Sequence, residues 1–155
     1  MSFENIYETY WGNVYRICMG YVNDADWAKD IAQETFITVW QQLPAFRNES
    51  SVGTWIFRIA SNHCLRQIEK SRRIPSGTIP DQVAEPIAPD IEGNIRLLYK
   101  YIGELNETDR LIILLELENV KQAEIAGILG LSESNTRVRI YRIKEKLSQK
   151  FKSNE

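Results

Sequence analysis

Residues 123–151 have the sequence "AEIAGILGLSESNTRVRIYRIKEKLSQKF", and its pattern is that of two helices joined by a tight turn. Ile125 and Ile128 recur at the spacing of a helix with one buried face. Gly130 can adopt the left-handed backbone that ends a helix, and Ser132 is a favourable N-cap for the next one. A helix, a glycine turn and a capped second helix are typical of a helix-turn-helix.

The second helix of this motif separates a core face from an outward face, because each residue turns the chain by about 100°. Four residues share one narrow arc: Thr136, Ile140, Ile143 and Leu147. We expect that arc to face the core. The outward N-terminal part of such a helix reads base edges in the major groove. Seven residues there have side chains suited to base or phosphate contacts: Ser134, Asn135, Arg137, Val138, Arg139, Tyr141 and Arg142.

The charge of the chain is unevenly distributed. The net charge is only -2, so the chain as a whole is not a polycation that coats DNA. Residues 134–152 nevertheless hold seven bases against one acid, whereas residues 1–45 hold six acids against two bases. This asymmetry indicates one surface for nucleic acid and another surface for a protein partner.

A proline-rich acidic segment separates the two halves of the chain. Residues 74–93 contain four of the five prolines, four acidic residues and no lysine or arginine. Each proline removes a backbone donor and biases the residue before it toward extended structure, so no helix of useful length is expected there. The segment predicts an extended acidic linker between two independently packed domains, residues 1–73 and residues 94–155.

Both halves have the apolar spacing of helices. Apolar residues recur every three or four positions within residues 3–21, 26–43 and 54–70, which predicts helices with one buried face. No segment alternates apolar and polar residues with a period of two, so we predict no strand. The expected fold class is all-α, with two small helical domains.

Other classes of function lack the residues that they need. Cys18 and Cys64 are too few for a zinc site or a disulfide framework, and we expect reduced, partly buried thiols. His63 is the only histidine, and it points about 100° away from Cys64 around a helix, so the two form no catalytic dyad. Since no phosphate-binding glycine loop or metal-ligand spacing occurs, we predict no enzyme activity, no metal and no cofactor. No signal peptide or membrane span is recognisable, which predicts a cytoplasmic protein.

A second long stretch, residues 24–73, has the sequence "DADWAKDIAQETFITVWQQLPAFRNESSVGTWIFRIASNHCLRQIEKSRR". It closely resembles conserved region 2 of the bacterial extracytoplasmic-function sigma factors. The shared landmarks are the acidic start, the segment "QETFITVW", the helix that begins "TWIFRIASN" and the closing pair of arginines. Residues 102–147 resemble region 4 of the same family. The two matches lie in the expected order on either side of the acidic linker and cover nearly the whole chain.

The resemblance implies a transcription initiation factor that binds core RNA polymerase, recognises the −10 and −35 elements of a promoter and helps to melt the duplex. The expected polymerase contacts are the β′ clamp and the β flap, and the linker would thread through the active-site cleft toward the RNA exit channel. An anti-sigma factor is a common partner in the family and is expected here. In region 4, the family reads the −35 element at the positions of Arg137, Val138, Tyr141 and Arg142.

Region 2 of the family supplies the polymerase contact. By resemblance, six residues would meet the coiled coil of the β′ clamp: Asp30, Gln33, Glu34, Thr35, Phe36 and Val39. The acidic bias of this half suits a protein contact better than a DNA contact. A plain solvated face for the acids and plain core for the apolar residues are the alternatives.

The loop 46–53 and the helix beginning near Thr54 would read the −10 element. Melting needs a pocket for an unstacked base, and three polar residues of the loop suit its lining: Asn48, Ser50 and Ser51. Three residues of the following helix suit base contacts: Asn62, Arg66 and Gln67. A basic cluster suits phosphates: Lys70, Arg72 and Arg73. Two positions stay open, because Trp55 can support the opening fork or pack in the core, and Arg58 can bind phosphate or pair with an acid.

Three features depart from the family pattern. The recognition helix begins with Ser134, Asn135 and Thr136 instead of a glycine-threonine-valine type of sequence. Val138 replaces a small polar residue, and Trp27 stands where a charged residue is usual. These changes concern the −35 sequence that is read, not the class of protein.

Two other classes of protein compete with a sigma factor. A stand-alone DNA-binding regulator would bind its operator tightly without polymerase, but the low net charge argues against strong binding of that kind. A protein-interaction adaptor would leave the two separate basic clusters unexplained.

Overall fold

The computed structural model describes residues 2–73 and 90–153, with side chains described at residues 2–67 and 93–153. Within these ranges the chain forms seven α-helices and a short 3-10 turn, and no strand: α1 (Phe3–Val22), α2 (Ala25–Gln42), the 3-10 turn (Leu43–Ala45), α3 (Val52–Arg73), α4 (Asp90–Gly103), α5 (Glu107–Leu117), α6 (Gln122–Leu129) and α7 (Glu133–Ser153). The prediction of an all-α fold is confirmed.

Polar caps decide where the first two helices begin. The side chain of Ser2 accepts a hydrogen bond from the backbone N–H of Asn5, and Asp24 Oδ1 accepts one from the N–H of Trp27 at 3.0 Å. Such caps satisfy amide groups that have no partner inside the helix. Asn23 ends α1 in the left-handed conformation, with φ 54, so the chain turns back and α2 packs along α1.

The helix-turn-helix lies where the sequence predicts it. Gly130 ends α6 with φ 70, and Ser132 Oγ accepts a hydrogen bond from the backbone N–H of Asn135 at 3.1 Å. The predicted core face of α7 is confirmed, because all four of its residues are buried: Thr136, Ile140, Ile143 and Leu147. The opposite face of α7 is therefore free to carry polar and basic side chains.

The predicted linker is too long at its C-terminal end. Helix α4 begins at Asp90, so residues 90–93 are helical and the linker prediction 74–93 is wrong for them. A proline restricts itself and the residue before it, but not the residues that follow. Negative charge in the first turn, as at Asp90 and Glu92, also favours a helix start. The remaining predicted linker residues, 74–89, lie outside the described residues.

The two halves do not pack independently, which corrects the sequence-based expectation. Helix α1 packs against α2 and α3 of its own half and against α4 and α5 of the other half. The buried apolar residues of both halves form one continuous cluster. Non-local packing of this kind cannot be read from the period of a single helix.

The two cysteines lie inside this core. Cys18 and Cys64 have no exposed surface, so they are more deeply buried than expected. A hydrogen bond with Cys18, together with burial, raises the pKa of the Cys64 thiol. A protonated, buried thiol is a poor nucleophile and metal ligand, so these residues act as small apolar core residues.

Candidate nucleic-acid interface

The outward face of α7 presents most of the predicted reading residues to solvent. Val138 is 47% exposed and Tyr141 is 69% exposed, although both are large and apolar or aromatic. The other exposed residues of this reading face are Ser134, Asn135, Arg137 and Arg142. Because the core arc of α7 holds the helix from the other side, this face has no structural task. It is free to contact base edges and phosphates.

Arg139 differs from the other predicted reading residues. Its side chain is 34% exposed, and its Nη1 atom lies 3.9 Å from Oδ1 of Asp109 on α5. This ion pair turns the guanidinium toward α5, whereas the pair of Arg137 with Glu133 lies entirely on the exposed surface of α7. Arg139 therefore lies on the flank of the reading face, where its ion pair helps to hold α7 on α5.

A cleft of about 350 Å³ opens between the loop after α2 and the first turns of α3. We call this cleft the base cleft. Phe46 and Trp55 stack at one side of it, with ring centroids 4.5 Å apart and planes inclined by 22°. Seven residues line it: Ala45, Phe46, Arg47, Glu49, Ser50, Trp55 and Arg58. The partly exposed Trp55 thus lines the cleft and also packs against the hydrophobic core. An aromatic pair beside arginines is an arrangement suited to an unstacked base.

Two of the three residues predicted to line a base pocket do not line the base cleft. Ser51 instead caps α3, because its Oγ accepts a hydrogen bond from the N–H of Thr54 at 3.1 Å and donates one to Thr54 Oγ1 at 2.8 Å. Asn48 occupies the left-handed region, with φ 59, and supplies the turn of the loop. Of the predicted set, Ser50 lines the cleft. The serine just before the helix was itself a capping signal that sequence reasoning passed over.

Sequence reasoning also missed Phe46, Arg47 and Glu49 as lining residues. The arginine and the glutamate belong to a loop whose path no periodic pattern predicts. Phe46 follows the 3-10 turn and packs on Trp55 from nine residues away. The signal that was present is the pair of aromatic residues flanking a short polar loop.

The outer face of α3 carries Asn62 and Arg66, both exposed. Arg58, one turn before Asn62, lies at the base cleft and has intermediate exposure. Spacings of four residues put these three side chains on one side of the helix, beside the stacked pair. Lys70, Arg72 and Arg73 belong to the last turns of α3, but their side chains lie outside the described residues.

Gln67 faces α2, and this corrects its assignment to the base-reading face of α3. Its Oε1 atom accepts a hydrogen bond from Nε1 of Trp27 at 3.1 Å. His63, one turn earlier, lies on the same flank, with Nε2 2.9 Å from Oγ1 of Thr38 on α2. These two polar contacts fix the rotation of α3 about its axis. The unusual Trp27 therefore has a structural partner in Gln67.

The pKa of His63 reflects its position between α2 and α3. Burial lowers it below the ordinary value of 6.5, and the positive charge of Arg66 lowers it further, while Glu34 opposes the shift. The neutral imidazole is thus the favoured form in the folded chain.

The residues predicted to contact polymerase divide between core and surface. Thr35 and Val39 have no exposed surface and Phe36 has 2%, so all three side chains pack in the core, and of the three only Phe36 also lines a surface groove. Thr35 also donates its hydroxyl to the carbonyl of Ile31 at 2.9 Å. The other three residues of the set are exposed: Asp30, Gln33 and Glu34.

An exposed apolar groove of about 420 Å³ lies beside them, between α1 and α2. It is lined by Phe3, Tyr7, Gln33, Phe36, Ile37 and Trp40. Ile37 is 55% exposed and Trp40 is 62% exposed, which is unusual for residues of this size and marks a surface for contact with another molecule. Sequence reasoning missed both residues. The apolar spacing within residues 26–43 predicts a buried face that includes Trp40, whereas the neighbours of Ile37 at helical spacing are exposed and no pattern marks it.

No helix in residues 2–73 or 90–153 is both long and apolar enough to span a membrane. Over the same part of the chain, no three histidine, cysteine or acidic residues come together in a way that would hold a metal ion.

Comparisons of sequence identify a family. The profile of "Sigma-70 region 2" matches residues 6–74, and the profile of "Sigma-70, region 4" matches residues 95–147. The ECF RNA polymerase sigma factor SigM of Bacillus subtilis is 26% identical over 95% of this chain and 93% of its own length. The RNA polymerase sigma-H factor of Pseudomonas aeruginosa is 27% identical over 96% of this chain and 85% of its own length.

Comparisons of structure find the same fold. The sigma factor RpoE of Bartonella quintana, solved in complex with the anti-sigma factor NepR, superposes with a TM-score of 0.79 at 19% identity. The match covers 99% of this chain and 98% of that one. CnrH, solved in complex with the cytosolic domain of CnrY, gives a TM-score of 0.75 at 20% identity, over 99% of this chain and 89% of CnrH. With its two sigma regions in order and both on one all-α fold, this chain belongs to the extracytoplasmic-function sigma factors, the alternative initiation factors that direct RNA polymerase to specific promoters.

Proposed function

We propose that the chain reads its promoter with two separate surfaces: the reading face of α7 for the −35 element and the base cleft beside α3 for the −10 element. The observation that carries this proposal is the stack of Phe46 on Trp55 at the mouth of a cleft that also contains Arg58. A base that leaves the duplex needs an aromatic platform and a cation near its phosphate. Asn62 and Arg66 continue the same surface with polar and basic groups.

The −35 element would be read in the major groove. Arg142 can make a bidentate contact with guanine, Asn135 with adenine, and Val138 can touch a thymine methyl group. Arg137, on the flank of the reading face, is suited to a phosphate contact, and Ser134 can add a hydrogen bond to a base edge. The exposure of Tyr141 and Val138 supports this proposal, because large exposed side chains on a basic face have no structural explanation.

Core polymerase would bind at the apolar groove between α1 and α2. The groove offers Ile37 and Trp40 as anchors, and Asp30, Gln33 and Glu34 form an acidic and polar rim beside them. Apolar anchors inside a polar rim are the usual anatomy of a protein interface. We assign this surface to the β′ clamp and leave the β flap to region 4, as the family resemblance implies. This chain would then recognise the promoter, and the polymerase would catalyse RNA synthesis. Both proteins would act in the cytoplasm.

An anti-sigma factor is the second proposed protein partner. Of the structural neighbours described above, RpoE was solved in complex with the anti-sigma factor NepR, and CnrH was solved in complex with the cytosolic domain of CnrY. The same apolar groove is a surface that an inhibitor can cover, and an inhibitor bound there would compete with polymerase. The two partners would therefore exclude each other.

In vitro transcription from a promoter library randomised at both elements tests the promoter assignment. We expect transcripts only when this chain and bacterial core polymerase are both present, enriched for two spaced sequence motifs. Tight, specific DNA binding by the chain alone, without transcripts, would instead favour a stand-alone regulator.

A matched pair of variants tests the groove. Ile37→Asp places a charge among the apolar anchors, so we expect it to weaken the binding of core polymerase by roughly tenfold or more, as loss of a hot spot does. Ile95→Asp is the control, because Ile95 is also a large exposed apolar residue, 44% exposed, but lies on α4 away from the groove. Equal affinity of the two variants for core polymerase would remove the groove from the interface.

A further inference from the structure

Two side chains of α3 make hydrogen bonds to α2, and each of them directly follows a residue proposed to read the −10 element. His63 follows Asn62, and Gln67 follows Arg66. Because one residue turns a helix by about 100°, each pair places one side chain toward DNA and the next toward α2. Any rotation of α3 that moves a DNA-facing side chain must therefore also strain the bond made by its neighbour.

Each of these two bonds has one defined direction. The indole N–H of Trp27 can only donate, so Gln67 accepts through Oε1, at 3.1 Å. The hydroxyl of Thr38 has a single hydrogen, which it donates to the backbone carbonyl of Glu34 at 3.1 Å. Its oxygen therefore accepts a hydrogen bond from Nε2–H of His63 at 2.9 Å. Neither bond survives an exchange of donor and acceptor, so each holds its side chains in one arrangement.

The core side of the same part of α3 gives little resistance to rotation. Three buried residues there are small: Ala60, Ser61 and Cys64. The hydroxyl of Ser61 makes no hydrogen bond within the described part of the chain. Small side chains have little shape to interlock, and apolar burial has no preferred direction. The two bonds to α2 therefore supply directional contacts that this core side lacks.

A small rotation is enough to change what α3 can read. The side chains of a helix extend about 5–6 Å from its axis, so a rotation of about 20° moves their ends by roughly 2 Å. A hydrogen bond from nitrogen to oxygen needs a distance of about 2.7–3.2 Å, so a displacement of this size breaks a contact with a base edge. The rotation of α3 therefore bears directly on recognition.

We propose that two residues of α2, Trp27 and Thr38, set the −10 sequence that this chain prefers, without touching DNA themselves. They are positioning residues, which act through Gln67 and His63 on the rotation of α3. This inference rests on the −10 function proposed above for the outer face of α3. Trp27 stands where the family usually has a charged residue, so the preference that it sets belongs to this chain and not to the family as a whole.

Selection from a promoter library that is randomised at the −10 element and fixed at the −35 element tests the proposal, with the full-length chain and core polymerase. Thr38→Val keeps the shape of the side chain but removes the oxygen that accepts from His63. We expect the preference at one or more −10 positions to change by roughly threefold or more, a part of what a whole base contact contributes. Thr38→Ser keeps the oxygen and should retain the original preference. In a second library, randomised at the −35 element, both variants should behave like the unmodified chain.

Thr9→Val is the matched control for Thr38→Val. The hydroxyl of Thr9 likewise donates to the carbonyl four residues earlier, that of Asn5, at 2.7 Å. Thr9 is exposed on α1, however, and within the described residues its side chain has no bond to α2 or α3. This variant should leave the −10 preference unchanged.

A double-mutant cycle tests the second bond. Trp27→Phe removes the donor and Gln67→Met removes the acceptor, so each single variant should change the −10 preference. The double variant should change the preference little further, since both substitutions remove the same bond. Full additivity of the two changes would mean that Trp27 does not act through Gln67, and would overturn that half of the proposal.

The double variant Asn62→Ala with Arg66→Ala separates a failure of this inference from a failure of the proposed −10 function. If it changes the −10 preference while Thr38→Val and Gln67→Met do not, α3 reads the −10 element but α2 does not set what it reads. If it leaves the preference unchanged, the −10 assignment of α3 is wrong and the inference is wrong with it. A loss of transcription by Thr38→Val and Gln67→Met that is equal for all −10 sequences would also overturn the proposal, because it would show a purely structural role.

Discussion

The reading face of α7 and the base cleft beside α3 are built in different ways. On α7, one arc of residues faces the core and a separate arc faces solvent, so no reading residue except Arg139 has a structural task as well. Around the base cleft, some polar residues stabilise the fold while others of similar chemistry are free for recognition. Ser51 caps a helix and Gln67 holds α3 to α2, so neither is free to contact DNA as predicted. A regular helix thus separates folding from recognition along its length, whereas a loop and helix together do not.

The largest expected effect concerns the reading face. Arg142→Ala should weaken discrimination at one −35 position by about 1–3 kcal/mol, because it removes a bidentate base contact. The measurement is competition between promoter variants in transcription with core polymerase.

Lys144→Ala is the control for charge, because it removes one positive charge from the same helix without removing a base contact. Lys144 pairs with Glu116 on α5 at 2.7 Å and is not part of the reading face. It should reduce use of all −35 sequences about equally. If Arg142→Ala behaves in the same way, Arg142 contacts phosphate and not a base.

The next effect concerns the base cleft. Trp55→Ala removes one ring of the stacked pair and should weaken promoter opening by about 1–3 kcal/mol, the usual contribution of one stacked base. Trp55→Phe keeps an aromatic platform and should retain most of the opening. Permanganate reactivity of unpaired thymines measures it, and a template with a preformed bubble should restore transcription by Trp55→Ala. Failure of that template to help would point to a folding defect.

Two neighbouring serines provide a smaller and sharper comparison. Ser51→Ala removes the cap of α3 and should lower the free energy of unfolding by about 1 kcal/mol. Ser50→Ala should leave that free energy nearly unchanged and alter the −10 sequence preference instead, because Ser50 lines the base cleft. Urea denaturation and promoter selection with both variants separate the two roles. The reverse pattern would exchange the assignments of the two serines.

The smallest effect is the pH dependence from His63. Burial first and Arg66 second lower its pKa in the folded chain below the ordinary value of 6.5, despite the opposing effect of Glu34. The unfolded chain therefore binds the proton more readily than the folded chain does. The free energy of unfolding should be highest, as far as His63 affects it, above pH 6.5 and should fall as the pH drops through that value. His63→Gln should show a smaller loss of stability between pH 7.5 and 5.5 by urea denaturation. Identical losses would mean that other groups cause the dependence.

The regular parts of the molecule could be predicted from the sequence. Spacing of apolar residues located the helices, and Gly130, Ser132 and the arc containing Ile140 and Ile143 located the helix-turn-helix correctly. These signals are local, because backbone preference and one-sided burial act within a few turns.

The non-local parts could not be predicted. Nothing near Gly20 shows that Leu114, 94 positions away, will lie against it, and Trp40 has the spacing and size of a core residue although it is exposed. Whether an apolar helix position is core or contact surface depends on which helices arrive from elsewhere in the chain. The base cleft has the same difficulty, since its aromatic pair meets across a loop.

The glycine contact between α1 and α5 also has a consequence for how the protein is made. Synthesis proceeds from the N-terminus, so the side of α1 at Gly20 leaves the ribosome long before Leu114 exists to cover it. Until then, the nascent N-terminal half carries an uncovered apolar surface next to Ile17 and Tyr21, both of which are fully buried in the finished chain. The first half of the protein thus completes its core only when the second half has been translated, and chaperone contact is expected in the interval.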